Sequence, residues 1–206
     1  MTARFSTRRR DFITLIGGAA ALLMPGAAQA QKPAPVGSVT EIEGEAFAEA
    51  RTERRALFRA APCFINDVVG TGRSSRLTLR LGRDTTLRLG QEARLTIDRF
   101  LVDAGGEITL QSGPILYDRP AHRPPSRLSI QSPFALISVR GTRFFAGPSA
   151  GTFGVFVERG SVVVSAAGGR VVLQPGQGTN ITYPGAAPTP AAPWGAERIR
   201  AALARV

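Results

Sequence analysis

The sequence Ser129-Ile-Gln-Ser-Pro-Phe-Ala-Leu-Ile-Ser-Val-Arg-Gly-Thr-Arg-Phe-Phe145 is the most informative part of this chain of 206 residues. Its apolar residues alternate with polar ones up to Val139, which is the pattern of a half-buried β-strand. Arg140-Gly141-Thr142 then interrupts the pattern with a charged turn, and two aromatic residues follow. Nothing in this stretch is typical of a catalytic site, so it raises the question of a binding partner.

The turn within this stretch has a structural and a functional interpretation. In the structural one, Gly141 supplies a backbone conformation closed to other residues, Thr142 hydrogen-bonds the turn, and Phe144 returns to the core. In the functional one, Arg140 presents its guanidinium group to an anionic group of a ligand or partner. The predicted signature turn therefore consists of Val139, Gly141, Thr142 and Phe144, with Arg140 as a candidate contact.

Alternation of apolar and polar residues continues over most of the chain. Residues 76–81 alternate Arg or Thr with Leu, and residues 86–89 and 94–97 repeat the pattern. Turn residues separate such segments at the spacing typical of a sandwich, a barrel or a β-solenoid. The sequence therefore predicts an all-β domain of many short strands, β-solenoid or sandwich-like, with a short C-terminal helix.

The same alternation places arginines on the outward side of the predicted strands. A plain solvated face is one explanation, because lone surface arginines are common. The other is a patch on neighbouring strands that contacts an anionic partner. The candidate contacts in this patch are Arg76, Arg80, Arg88 and Arg94.

Several motifs, in order, resemble the FecR domain family, a periplasmic sensing and interaction module. Residues 67–83 are similar to its D-x-[IV]-x-T-G-x-x-S-x segment, and residues 139–144 match its V-R-G-T-x-F core. Residues 155–164 resemble the hairpin that follows that core, with Glu158 and Gly160 between its strands. The resemblance runs from about Val36 to Ile181 and implies a binding function with an unspecified partner.

Residues 1–30 have the three parts of a secretory signal peptide. Arg8-Arg9-Arg10 precedes a short apolar run, and Ala28-Gln29-Ala30 offers small residues for cleavage. Residues 9–13, Arg-Arg-Asp-Phe-Ile, resemble a twin-arginine export signal, and a general secretory signal is the alternative. Membrane-anchored FecR proteins instead add a transmembrane helix and a cytoplasmic segment that controls a sigma factor. We therefore expect a soluble periplasmic protein without a stable membrane anchor after cleavage.

The chain is strongly basic, with a formal net charge of +11. Residues 1–30 contain four arginines and one aspartate, which account for +3, so the remaining residues carry +8. A basic exported protein is attracted to anionic lipids, lipopolysaccharide phosphates and acidic proteins. The predicted partner is therefore a protein or an anionic cell-envelope component, and nucleic acid is not expected in that compartment.

Composition changes after the predicted domain at residues 36–183. Residues 184–193 are rich in Pro, Ala and Gly and predict a semi-rigid extended linker. Residues 194–206 place Ile199, Ala202 and Leu203 on one face of a short amphipathic helix. Because so short a helix is marginal by itself, it is expected to dock on the domain, to stay disordered or to bind a partner.

Few residues fit a catalytic or metal site. His122 is the only histidine and lies in a proline-rich loop, which argues against a metal cage and a Ser-His-Asp triad. Cys63, the only cysteine, precedes Phe-Ile and predicts a buried thiol. Asp98 and Asp103 would serve an alternative function, an envelope polysaccharide hydrolase or lyase on a β-solenoid. The sequence favours a non-catalytic sensing or interaction module, with no cofactor.

Overall fold

The computed structural model describes residues 34–51, 53–101, 105–122 and 127–206, and the predicted signal peptide lies outside them. Its strands follow the predicted alternation. Leu77, Leu79 and Leu81 of one strand are buried, whereas Arg76 and Arg80, which alternate with them, are exposed. This burial of alternate residues is what holds each strand in register against the core.

The described residues form sixteen strands and one helix. The elements are β1 Gly37–Glu43, β2 Ala46–Ala50, β3 Glu53–Ala56, β4 Pro62–Cys63, β5 Val68–Thr71, β6 Arg76–Leu81, β7 Thr85–Leu89, β8 Arg94–Leu101, β9 Gly105–Ser112, β10 Ile115–Asp118, β11 Arg127–Gln131, β12 Leu136–Ser149, β13 Thr152–Ala166, β14 Gly169–Leu173, β15 Gln177–Ile181, β16 Ala192–Pro193 and α1 Ala196–Leu203.

All these strands belong to one sheet that curls into a half-barrel. The main path runs β3-β2-β5-β8-β9-β11-β12-β10-β7-β6-β1-β4, and β13 to β16 continue from β12. The pairing of β9 with β11 is parallel, and the other described ladders are antiparallel. The predicted fold class, all-β with a short C-terminal helix, is confirmed.

The long hairpin β12–β13 joins the two halves of the curled sheet. The first part of β12, residues 136–140, pairs with β11, and its second part, residues 143–146, pairs with β10. β13 divides in the same way, because residues 162–166 pair with β14 and residues 153–156 with β15. Inward side chains of both halves belong to one core cluster, so the two halves bury each other's apolar faces.

The segment after the core domain lies along the sheet. The Thr179 hydroxyl donates to the Thr189 carbonyl at 2.6 Å, and β16 pairs with β15. Residues 184–193, predicted as a linker, are thus bound to an edge of the domain. This leaves the following helix only a short distance from the sheet.

Trp194 anchors the C-terminal helix on the outer side of the sheet. Its ring is stacked on Phe156 with 5.2 Å between centroids, and it packs with Leu116 and Phe145 in a second apolar cluster. Gly154 makes room for the ring, since a Cβ there would lie 2.7 Å from Trp194 Cη2. Of the three states open for the helix, docking on its own domain is the one observed.

In the part of the chain that the structure describes, no helix combines the length and the apolar character needed to span a bilayer. The helix α1 has eight residues and only one of them, Ala202, is buried.

Candidate functional site

The predicted signature turn is wrong as a turn: Arg140-Gly141-Thr142 is a bulge inside the continuous strand β12, and the β12–β13 hairpin bends there. Gly141 and Gly160 face each other there with φ of 60° and 83°, a region that favours glycine. The register shifts twice: one extra residue is inserted into β12 between Arg140 and Arg143, and one into β13 between Val157 and Arg159. Val139 and Phe144 consequently both point into the core although they are five positions apart. The bulge therefore lets one strand serve both halves of the sheet.

Gly160 is required by space as well as by its backbone conformation. A Cβ at this position would lie 2.5 Å from Thr142 Cγ2 and 2.6 Å from the Gly141 carbonyl oxygen. The Thr142 methyl group thus fills the place of the missing side chain. The two bulged segments are packed directly against each other.

The Thr142 hydroxyl does not hydrogen-bond the turn, so this expectation is wrong. Thr142 is fully buried, and its Oγ1 has no hydrogen-bond partner among the described residues. The bulge is held instead through the backbone, where the Arg119 N–H donates to the Thr142 carbonyl at 3.1 Å. Phe144 is fully buried and lies 5.6 Å from the Tyr117 ring, centroid to centroid.

An ion network fixes the outer side of the bend. The Arg143 guanidinium donates to Glu158 and, at 3.0 Å, to Asp118. Arg159 donates to the other Asp118 oxygen at 2.7 Å. Burial lowers the pKa of Arg143, but its hydrogen bond and charge pairing with Glu158, and then with Asp118, outweigh this and raise the pKa above its ordinary value. These four side chains hold the three strands β10, β12 and β13 together beyond their backbone ladders.

Sequence reasoning quoted Arg143 and Glu158 only as motif letters and did not single out Asp118 or Arg159. The signal for the pair was present, because each residue lies two positions from a glycine of the same hairpin, Gly141 or Gly160. That the two residues form an ion pair could not be predicted, because the register that brings their strand segments opposite each other is set only in the folded chain.

Arg140 lies just before the bend and points outward. It is exposed, and its direct cross-strand partner on β11 is Arg127, which is exposed as well. Neither guanidinium forms an ion pair or hydrogen bond with any residue that the structure describes. Like charges directly opposite each other on two strands are destabilising. The pair thus has no carboxylate in direct contact among the described residues, and Arg127 is the member that sequence reasoning missed.

We call the outward side of β11, β14 and the adjoining parts of β12 and β13 the outer face. Its first cross-strand row is Arg127, Arg140 and Ser161, and its second is Ser129, Ser138, Val163 and Val172. Two shallow depressions of about 480 and 470 Å³ indent this side of the sheet. Both are lined by Glu107 and Ser129, so they adjoin each other.

The structure separates the other candidate arginines into two places. Arg80 and Arg88 are exposed on the neighbouring strands β6 and β7. Arg76, on β6, is engaged, since it donates to the Ala204 carbonyl at 2.9 Å and to Glu43 at 3.2 Å. Arg94 is not in this group, because β8 pairs with β5 and β9, and it forms an ion pair with Glu49.

The described residues hold few groups suited to catalysis. They include no cluster of three or more His, Cys, Asp or Glu side chains that could bind a metal ion. His122 is exposed, and Asp98 accepts a hydrogen bond from Thr109 at 2.8 Å. Asp103, the other member of the candidate acid pair, lies outside the described residues. Cys63 is a fully buried thiol, and burial raises its pKa to about 11.

A family model matches the central part of the chain. Residues 67–163 match the model described as FecR protein, and this range includes the bend, the ion network and most of the outer face. The resemblance seen in the motifs is thus confirmed over these residues. No curated protein matches the chain.

Two solved structures have a similar fold. Both are crystal structures, at 1.65 and 2.50 Å, of a candidate anti-sigma factor from Parabacteroides distasonis ATCC 8503. Each shares 14% sequence identity with the chain at a TM-score of 0.54, and each match covers 66% of the chain. The chain spans 64% and 63% of those two structures, which is less than two thirds of their length. At this identity the likeness concerns the fold.

Proposed function

We propose that this protein is a non-catalytic periplasmic sensing or interaction module that binds a protein or an anionic cell-envelope component through its arginines. The observation that carries the proposal is the opposed pair Arg127 and Arg140, exposed on a strand face without a carboxylate partner among the described residues. A bound anion would relieve their mutual repulsion and receive a planar, two-pronged set of donors.

The family and the fold are consistent with a regulatory role. The match to the FecR model and the name of the structural neighbour, a candidate anti-sigma factor, both point to signalling. The ion-paired side chains of the bend, Arg143, Glu158 and Asp118, neutralise one another and connect neighbouring strands. Arg140 lies beside them without such a role, which favours an external partner.

The proposed location rests on residues 1–30 and is tested separately. Replacing Arg9 and Arg10 with Lys keeps the charge but removes the arginine pair that the twin-arginine pathway reads. We expect the full chain with this change to accumulate uncleaved in the cytoplasm, as seen by cell fractionation. Normal export of the Arg9→Lys/Arg10→Lys chain would indicate the general secretory route, and failure of the unchanged chain to reach the periplasm would contradict the location.

The binding function is tested with residues 31–206 immobilised and exposed to envelope extract, and in parallel to vesicles of phosphatidylglycerol. We expect saturable retention of one component that high salt weakens, because exposed charges are screened. Absence of any saturable component, together with turnover of an envelope polysaccharide by the purified chain, would contradict the proposal.

A further inference from the structure

We infer that the outer face binds a protein segment that carries a carboxylate side chain next to an aliphatic one. The inference rests on the proposed function and specifies both the surface and the partner. It follows from three features of the face: an opposed arginine pair, an adjoining apolar row, and acidic residues on the adjoining strands β8 and β9.

The arginine pair selects a carboxylate or another planar anion. Cross-strand neighbours have their Cβ atoms about 5 Å apart, so both guanidinium groups reach one bound anion. Ser161 is the next residue across from Arg140 and adds a hydroxyl group to the same row. A single acidic side chain would therefore meet two charged donors and one neutral donor.

An apolar row lies two residues away along the strands. Val163 and Val172 are direct cross-strand partners, and Val172 is 49% exposed. Leu136, on the neighbouring strand, is 44% exposed. Such adjacent aliphatic side chains, bordered by serines and arginines, are typical of the centre of a protein interface with a polar rim.

Acidic residues on the same side of the sheet would repel a polyanionic partner. Glu107 pairs with Ser129 in the ladder, forms an ion pair with Arg99 at 2.9 Å, and lines both depressions. Asp98 lines one of the depressions as well. A lipid surface or a charged polymer would bring negative charge against these carboxylates, whereas a protein segment places its charge at the arginines alone.

The partner lies on the face and does not extend the sheet. Within the described residues β14 has β13 as its strand neighbour, which leaves its other edge for strand addition. Pro188 covers part of this edge, since a Cβ at Gly169 would lie 3.0 Å from Pro188 Cδ. Proline beside an edge strand blocks further pairing. Recognition therefore depends on side chains.

Photo-crosslinking in cells tests the inference with the full, exported chain. The photoreactive residue p-benzoylphenylalanine replaces Ser138, at the centre of the face, or Thr86, an outward position on β7 beside the other arginine group. We expect the chain with the photoreactive residue at position 138 to crosslink to one protein. We expect no crosslink from the chain that carries it at position 86. Mass spectrometry of the Ser138 product is expected to locate Asp or Glu within a few residues of Val, Ile or Leu.

The outcomes separate this inference from the proposed function. A protein crosslinked at Thr86 but not at Ser138 would overturn the choice of face while binding itself stands. A lipid or polysaccharide captured at Ser138 would overturn the choice of a protein segment. Crosslinks at neither position, with both chains exported and folded by circular dichroism, would contradict the inference and the proposed function together.

Discussion

Gly160 and Thr142 meet at the point where both long strands change from one half of the sheet to the other. The packing of a methyl group against a bare Cα leaves no room for a side chain. The Thr142 hydroxyl is buried there without a hydrogen bond to any described residue, which costs about 1–3 kcal/mol. Because the fold tolerates this cost, the conformation of Thr142 is fixed by the packing around it.

Replacing Gly160 with Ala is expected to destabilise the protein by about 2–4 kcal/mol, because left-handed strain adds to overpacking. Gly168→Ala is the matched control: its φ of 75° is similar, but nothing lies within 4 Å of an added Cβ. This control should cost only about 1–2 kcal/mol, the strain alone. Urea unfolding of both variants measures the difference, and equal losses would contradict the close packing at the bend.

Cys63 makes the free energy of unfolding depend on pH in the alkaline range. Burial, and then the charge of Asp67, raise its pKa from the ordinary 9.0 to about 11, while Arg55 acts in the opposite direction. Between these values the unfolded thiol has lost its proton and the folded one retains it. Stability is therefore fully present below pH 9 and is lost as pH rises towards 11, by about 2–3 kcal/mol.

Comparison of the wild-type chain with Cys63→Ala isolates this effect from other groups that titrate at high pH. The stability difference between the two chains, measured by urea unfolding at pH 8 and pH 11, should shrink at the higher pH. A constant difference would mean that the thiol has the same pKa in both states.

At the scale of elements, individual strands could be predicted but their partners could not. Alternation in residues 76–81 and 86–89 identified strands β6 and β7 and the outward direction of their arginines, because burial of one face dictates period 2. The prediction that Arg94 belongs to the same arginine patch is wrong, because its strand, β8, pairs with β5 and β9 and not with β6 or β7. Pairing between strands that are distant in the sequence depends on the whole fold, so the local alternation of apolar and polar residues does not predict it.

Arg127 shows the same limit within the candidate site. It follows a proline-rich stretch of sequence, and nothing near it in the sequence distinguishes it from other surface arginines. Only the register of β11 against β12 places it opposite Arg140. The motif letters predicted an interruption of the strand and Arg140 as a candidate contact, and the ladder places Arg127 opposite that candidate.

The C-terminal helix depends on Trp194 for its stability. Truncating a buried Trp costs about 3–5 kcal/mol, more than a helix of eight residues can supply by itself. We expect Trp194→Ala to undock α1, so that its amides lose hydrogen-exchange protection while those of β6 keep theirs. The matched control is Arg200→Ala on the exposed side of the same helix. Retained protection in α1 of the Trp194→Ala chain would contradict this dependence.

At the scale of the whole molecule, the bend, the ion network and the outer face form one arrangement. The bulge directs Phe144 into the core and leaves Arg140 outside at the junction of two half-sheets. The C-terminal helix covers the outer side of β10 and the adjoining strand parts, whereas no described segment covers the arginine pair. Among the described residues, the arginine pair on the outer face is thus both exposed and without a carboxylate partner.

The most direct test of the proposed interaction measures the affinity of the purified chain, residues 31–206, for the component retained from the envelope. Arg127→Glu/Arg140→Glu reverses the pair, and Arg80→Glu/Arg88→Glu changes net charge equally on the opposite half of the sheet. We predict that the first variant raises Kd by about 10–100-fold at 150 mM salt and that the second changes it by less than about threefold. Equal Kd values for the wild-type chain and the Arg127→Glu/Arg140→Glu variant would contradict the account.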